Sequence, residues 1–221
     1  MPMEASAARS RLSRDDRMEQ TLGAAHTLFA ERGYAAVKMD EIAAAVGVTK
    51  PLLYNYFGNK EQLYIACMER AGDALTKTVG EAVEATASPG DALGAGVRAF
   101  FAFLDSDRGA WAVLFDETLP QAGDVAERVG AYRGLIVELV SAAMMRQLPQ
   151  QVRDAARVEV EALSAALLGA AEALARWWLH SEELSAEEAA ELLIATIEPG
   201  LRARSGDSPT SDPTQKGTSS E

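Results

Sequence analysis

Cysteine and histidine are nearly missing from this sequence of 221 residues, which contains one cysteine and two histidines. The single thiol, Cys67, cannot supply a disulfide framework or a thiolate metal cluster. His26 and His180 are far apart, and neither has a second ligand at the spacing of a metal site. We therefore expect neither a metal nor another cofactor.

The sequence also lacks the segments that mark membrane proteins and several enzyme classes. No apolar run approaches the roughly 18 residues that a spanning helix needs, and the N-terminus has no apolar signal core. It contains no glycine-rich phosphate loop and no serine elbow. These absences predict a soluble, cytoplasmic protein with no membrane association and no enzymatic activity.

Aromatic residues make up only 6% of the chain, and long β-branched runs are scarce. Alanine and leucine dominate instead, and hydrophobic residues reach 48%, which is enough for a substantial core. This composition favours an all-α protein. The length fits one large domain or a small domain joined to a bigger one.

The net charge of −12 is unevenly distributed. Residues 1–60 contain eight basic and seven acidic side chains, a net charge of +1. Residues 61–221 contain 13 basic and 26 acidic side chains, a net charge of −13. The acidity that argues against nucleic-acid binding therefore belongs to the second part of the chain alone.

Apolar periodicity and the positions of glycine and proline predict nine helices. Gly33 is expected to end the first helix in a left-handed conformation, and Gly47 and Gly58 to end the next two. Two short helices joined by the turn at Gly47 form a helix-turn-helix. The predicted helices cover residues 14–32, 39–46, 49–57, 60–87, 89–104, 107–116, 125–148, 152–180 and 186–202.

The third of these helices combines a docking edge with an exposed polar face. Leu53 and Phe57 share one side at about 100° per residue and are predicted to dock the helix. The opposite, exposed face begins at the N-terminal end of the helix. It consists of Thr49, Pro51, Leu52, Tyr54, Asn55 and Tyr56. Lys38, Lys50 and Lys60 surround it with positive charge.

Such a face suits the major groove of double-stranded DNA. Asparagine can pair with adenine through two hydrogen bonds, and an apolar side chain such as Leu52 can contact a thymine methyl group. Tyrosine and threonine hydroxyls and lysines can contact phosphates. The alternative is that the tyrosines are peripheral packing residues and the lysines are merely solvated.

Residues 14–68 resemble the DNA-binding domain of the TetR-like transcriptional regulators. The stretches that carry the resemblance are LFAERGY (28–34) and MDEIAAAVGVTKPLLYNYFGNKEQLY (39–64). The resemblance implies a three-helix DNA-binding domain followed by a helical ligand-binding and dimerisation domain. It also implies that ligand binding moves the fourth helix, on which Lys60 lies. The resemblance implies a DNA-binding domain (14–60) and a ligand-binding and dimerisation domain (61–203), and polar composition predicts a flexible arm (1–13) and a disordered tail (204–221).

Lys38 departs from the family pattern, which usually has threonine or serine at the N-cap of the second helix. Loss of a capping hydroxyl costs about 1 kcal/mol. A cation is also unfavourable at the positive end of a helix. A lysine at this position can still reach a phosphate.

The acidic part of the chain contains a long helix with two apolar stripes. One stripe runs from Val160 to Trp177 and is predicted to face the core. The other consists of small residues and permits a close approach by a partner subunit. With the last helix it gives a predicted homodimer interface of Ala162, Ala166, Gly169, Ala173, Leu192, Leu193 and Ile197. The alternative is a helix buried within a monomer.

Large apolar side chains in the same part of the chain can line a pocket for an apolar or aromatic small molecule. The predicted lining consists of Phe100, Phe103, Trp111, Phe115, Tyr132, Met144 and Trp178. Together these features predict a homodimeric regulator, a repressor that the ligand releases from a palindromic operator. Two alternatives are a ligand-dependent activator and a helical small-molecule-binding bundle without DNA function.

Overall fold

The computed structural model describes residues 13–87, 91–115, 119, 122–181 and 183–205, with side chains as far as residue 200. The predicted arm, apart from Ser13, and the predicted tail beyond residue 205 lie outside the described residues. The described residues form nine α-helices and no strand. The helices are α1 (Arg14–Ala36), α2 (Met39–Val46), α3 (Lys50–Phe57), α4 (Lys60–Ala85), α5 (Ala92–Ser106), α6 (Arg108–Phe115), α7 (Asp124–Gln147), α8 (Arg153–Ser181) and α9 (Ala186–Ser205). The all-α prediction is confirmed.

Local sequence explains where the first helices begin and end. The Ser13 hydroxyl accepts a hydrogen bond from the N–H of Asp16, and the Ser13 N–H donates to the Asp16 carboxylate, so α1 begins with a capping box. Gly47 ends α2 in the left-handed conformation, at φ 67° and ψ 31°. Gly33 also has a positive φ of 75°, but its ψ is 161°. Gly33 therefore interrupts the helix with a positive φ that favours glycine, as the sequence predicts, but its ψ lies outside the left-handed helical region and one further helical turn follows it.

Two clusters of buried side chains hold the helices together. The N-terminal core joins α1, α2, α3 and the first turns of α4 as far as Met68, and it includes Val113 of α6. The body core joins the rest of α4 to α5, α6, α7, α8 and α9. Helix α4 therefore belongs to both cores, since its N-terminal part packs in one and Leu75, Val79 and Val83 pack in the other.

Within the described part of the chain, no helix is long and apolar enough to cross a membrane. Over the same residues, no cluster of histidine, cysteine and acidic side chains could hold a metal ion.

Candidate functional site

Helix α3 presents one edge to the core and the rest to solvent. Leu53 is fully buried and Phe57 is buried, as the sequence predicts. Pro51, Tyr54 and Asn55 are exposed. Leu52 and Tyr56 are half-buried at the margin of the same face. The exposed face is therefore polar and aromatic at its centre, with Asn55 free to reach outward.

The turn before α3 fixes its direction. The Gly47 N–H donates to the Ala44 carbonyl at 3.2 Å, and the Val48 N–H donates to the Ala43 carbonyl at 3.0 Å. Thr49 is the N-cap, and its backbone carbonyl accepts hydrogen bonds from the N–H groups of the first turn of α3. The Thr49 side chain makes no capping hydrogen bond. Its hydroxyl is exposed and remains available for a phosphate.

Lys50 and Lys60 have intramolecular partners. The Lys50 ammonium lies 2.8 Å from the Asp40 carboxylate. The Lys60 ammonium donates to the Ala35 carbonyl at 3.3 Å and lies 4.4 Å from the centre of the Tyr34 ring. Partial burial lowers the pKa of Lys60. Both lysines border the α3 face, and each is held by a partner within the protein.

Glu41 supplies one half of a capping box at Lys38. The Lys38 backbone N–H donates to Glu41 Oε2 at 2.8 Å, but the Lys38 side chain has no oxygen to accept from the N–H groups of the first turn of α2. The other Glu41 oxygen accepts from Arg32 at 2.9 Å. The Arg32 hydrogen bond and the Lys38 N–H lower the pKa of Glu41. The spacing of Lys38 and Glu41 could have indicated this cap, whereas the contact with Arg32 depends on the tertiary fold.

An apolar space lies between α4, α5, α7 and α8. It is a cavity of about 50 Å³, and its lining is almost purely apolar. Val79 and Val83 form the α4 wall, Ile136 and Val140 the α7 wall, and Phe100 is the aromatic side chain that faces it. A second space of about 10 Å³ lies beside Phe115 and Tyr132.

The remaining predicted pocket residues are packing residues and line neither cavity. Trp178 lies against Phe101, with ring centres 5.7 Å apart, and its indole N–H donates to the Leu184 carbonyl. Trp111 stacks on Phe115, and Phe103 packs at the edge of the body core. Met144 accepts a hydrogen bond from Ser164 through its sulfur. Choosing residues by size was misleading, because large side chains fill space and the cavity lies between smaller aliphatic ones.

These observations have counterparts in known proteins. Residues 22–67 match the family described as "Bacterial regulatory proteins, tetR family", and residues 89–198 match "Tetracyclin repressor-like, C-terminal domain". The HTH-type transcriptional activator FasR of Mycolicibacterium smegmatis is 33% identical over 173 residues, which cover 78% of this chain and 77% of that protein. The chain belongs to the TetR family of transcriptional regulators.

Solved structures agree with this assignment. A TetR-like regulator from Rhodococcus sp. RHA1 superposes with a TM-score of 0.71 and 31% identity, covering 86% of this chain and 98% of that one. FadR from Bacillus subtilis, solved with stearoyl-CoA, gives a TM-score of 0.67 at 16% identity, covering 86% and 99% of the two chains. At that identity the second likeness shows the fold alone. In this TetR-family regulator, α2 and α3 are thus the helix-turn-helix, and residues 89–198 match the C-terminal domain.

One exposed face of the regulator is formed by α8 and α9. Ala162, Ala166, Gly169 and Ala173 are all exposed on it. The interface prediction needs correction on α9, where Leu192 is 51% exposed but Leu193 is 5% exposed and packs in the body core. Ile197 is half-buried against the same core.

The prediction for α8 also placed Trp177 on the wrong side of the helix. The predicted core stripe ended at Trp177, which is 48% exposed, whereas Trp178 is 1% exposed. The observed buried stripe runs through Val160, Ser164, Leu167, Ala171, Ala175 and Trp178. Trp177 therefore joins the exposed α8–α9 face.

Helix α6 connects the C-terminal domain to the helix-turn-helix domain. The Tyr64 hydroxyl, on α4, donates to the Val113 carbonyl of α6 at 2.7 Å in a buried position. The Tyr64 ring packs edge-on against Tyr34, whose ring lies beneath Lys60. At the start of α6, His26 of α1 lies 3.2 Å from Asp107. Helices α1 and α4, which pack with the helix-turn-helix in the N-terminal core, are thus in direct contact with α6.

Proposed function

We propose that this protein is a homodimeric, cytoplasmic regulator that binds a palindromic operator and releases it when a mainly apolar small molecule enters the cavity between α4, α5, α7 and α8. The observation that carries the proposal is α4 itself. One end of this helix holds Lys60 beside the DNA-reading face, and the other end supplies Val79 and Val83 to the cavity wall. A change at the cavity therefore acts on the helix that borders the DNA.

The proposed operator contacts follow from the exposed face of α3. Asn55 reads a base edge, and Pro51 and Leu52 offer apolar contacts to the groove. Lys38, Thr49, Tyr54 and the two partnered lysines contact phosphates. Each half-site is then occupied by one α3 helix, because a two-fold dimer reads a palindrome.

The proposed dimer uses the exposed α8–α9 face. Small residues along α8 permit close helix packing, and Gly169 has no neighbouring atom within 4 Å of the position of a Cβ. Trp177 and Leu192 supply large apolar side chains that are half-exposed in the isolated chain. Burying exposed apolar side chains of this size gives the association its driving force.

The cavity volume explains how a ligand could alter DNA binding. A cavity of about 50 Å³ has room for a few waters at most. Small-molecule sites usually enclose about 300–1,000 Å³. A ligand must therefore separate α4 and α5 from α7 and α8. Its binding stabilises the conformation in which α4 has moved and the cavity is large enough to hold the ligand.

An activator is the second candidate function, because FasR, a relative with 33% identity, is named a transcriptional activator. The two candidates share the DNA-binding face and differ in the effect of the ligand on transcription. Operator position relative to the promoter and the sign of the ligand effect on operator affinity distinguish them.

The proposal is tested by selecting genomic DNA fragments with the purified full-length protein at a fixed salt concentration. We expect one palindromic motif to be enriched, and the Asn55→Ala variant to lose that enrichment while retaining its fold. Titration of apolar compounds against the recovered operator then gives the sign of regulation. If the folded, dimeric protein enriched no motif, the proposal would be contradicted. The alternative of a small-molecule-binding helical bundle without DNA function would then be favoured.

A further inference from the structure

The wall between the cavity and solvent is thin where α4 faces α7. Val79 and Val83 of α4 and Ile136 of α7 face inward and line the cavity. The outer side of the same two helices borders an open groove. Leu139 lines both the cavity and the groove. Leu139 therefore borders both spaces.

The residue opposite Leu139 favours an opening between the cavity and the groove at this position. Gly80 of α4 also lines the groove, and a Cβ placed on it would lie 4.0 Å from Leu139 Cδ2. Because glycine has no side chain, α4 offers nothing there that interlocks with the leucine. Leu139 is half-buried and borders the open groove, so its side chain has space to turn toward the groove. Such rotamer changes are fast compared with helix movements.

The groove outside Leu139 is strongly acidic. Its lining includes four carboxylates, Asp73, Glu81, Glu84 and Glu138, against a single ammonium group, Lys77. Lys77 lies 3.9 Å from Glu81, so part of its charge is already paired. Grooves lined by one sign of charge raise the local concentration of oppositely charged molecules and repel the others.

We propose that the ligand enters between α4 and α7 past Leu139, and that the groove selects an apolar molecule whose polar end is cationic or uncharged. Anionic amphiphiles, including those with phosphate-bearing heads, are disfavoured because their charged end would lie among the four carboxylates. This inference rests on the proposed ligand cavity and adds to it the entrance and the chemical class of the ligand.

The entrance is tested by stopped-flow binding of N-phenyl-1-naphthylamine, an uncharged apolar fluorophore, to the full-length protein. We expect Leu139→Ala to raise both the association and the dissociation rate at least threefold. Leu135→Ala is the matched control, because Leu135 lies one turn away and lines the groove but not the cavity. Equal rates in the two variants and the parent protein would place the entrance elsewhere and overturn the proposal.

The charge selection is tested by displacing the same fluorophore with decyltrimethylammonium, decan-1-ol and decyl sulfate, each below its micellar concentration. At low salt we expect the cation to bind at least fivefold more tightly than the sulfate, with the alcohol between them. Raising the salt concentration should narrow the difference, because charges at an open groove are screened. Equal binding of the cation and the sulfate at low salt would overturn the selection.

Charge reversal provides the matched pair of variants. Combined Glu84→Lys and Glu138→Lys substitutions should reduce or reverse the preference. Glu31→Lys, at an exposed position of α1 that does not line the groove, should leave it unchanged. Failure of the fluorophore to bind at all would instead refute the ligand cavity of the proposed function. Binding without charge preference refutes only this inference.

Discussion

Gly72 and Gly80 lie two turns apart on α4 and provide a sharp test of how closely α4 packs against α7. A Cβ on Gly72 would lie 2.5, 2.7 and 2.8 Å from three atoms of the Tyr132 ring. A Cβ on Gly80 would lie 4.0 Å from Leu139, at ordinary van der Waals distance. The same substitution by alanine should therefore have opposite effects at the two positions.

The magnitudes follow from three contributions. Replacing glycine by alanine inside a helix stabilises it by about 1 kcal/mol, and Gly80→Ala should gain up to that amount. At Gly72 the Tyr132 ring must move by about 1 Å to restore contact distance, and overpacking of this kind costs about 1–3 kcal/mol. The Tyr132 hydroxyl lies 2.9 Å from Asp73 Oδ1 and 3.2 Å from the Glu69 carbonyl. Disturbing these hydrogen bonds adds about 1 kcal/mol.

We therefore expect Gly72→Ala to lower the free energy of unfolding by about 1–3 kcal/mol and Gly80→Ala to raise it. Urea denaturation followed by circular dichroism measures both, at one protein concentration because the proposed dimerisation would contribute to stability. In a Tyr132→Leu background, Gly72→Ala should lose most of its penalty. If Gly72→Ala stabilised the parent protein as much as Gly80→Ala does, the close approach of α4 and α7 would be refuted.

Four further predictions concern DNA binding, the buried thiol and the dimer. Asn55→Ala should weaken cognate binding by about 1–3 kcal/mol and relax base preference, and an equal loss on scrambled DNA in a fluorescence-anisotropy titration would show that Asn55 reads no base. Lys60→Ala should weaken binding to all sequences and reduce the slope of log affinity against log salt by about one, whereas Lys77→Ala on the outer side of α4 should leave the slope unchanged. Burial raises the pKa of the Cys67 thiol to about 12, so almost no thiolate exists at neutral pH and Ellman's reagent should react only after denaturation. Rapid labelling of the native protein would contradict that burial. Trp177→Glu should convert the dimer into a monomer in sedimentation experiments, and an unchanged dimer would place the interface elsewhere.

Helix positions could be predicted from the sequence because glycines and prolines mark the ends of elements whose apolar periodicity is clear. The predicted second and fourth helices start where α2 and α4 start. The docking of α3 through Leu53 and Phe57 was predictable for the same reason, since two large residues four positions apart define one side of a short helix. The hydrogen bond between Lys38 and Glu41 could be predicted from their local spacing. The ψ angle of Gly33 could not, because local rules give the position of a helix break and not its full conformation.

The orientation of α8 could not be predicted, because alanine is compatible with either a core or an interface. With small apolar residues on most sides, two stripes of similar hydrophobicity compete, and adjacent tryptophans differ by only about 100°. The fold decides between them through partners on other helices. Trp178 finds the Phe101 ring and the Leu184 carbonyl, and Trp177 has no equivalent place in the core. Of the predicted pocket residues only Phe100 lines the apolar cavity, since a gap between helices is a property of their packing and not of any one residue.

The arrangement of α4 determines how cavity opening can reach the DNA-reading face. Its N-terminal part is fixed to α6 by the buried Tyr64–Val113 hydrogen bond, and its aromatic contacts place Tyr34 under Lys60. Its later turns contact α7 at two glycines. Gly72 lies close to the Tyr132 ring, and Gly80 lies opposite Leu139. A ligand that separates α4 from α7 at Gly80 must either bend α4 between these contacts or rotate the whole helix. Rotation would disturb the contacts that position Lys60, and the loss of operator affinity is then limited by how much more tightly the ligand binds the opened state than the closed one.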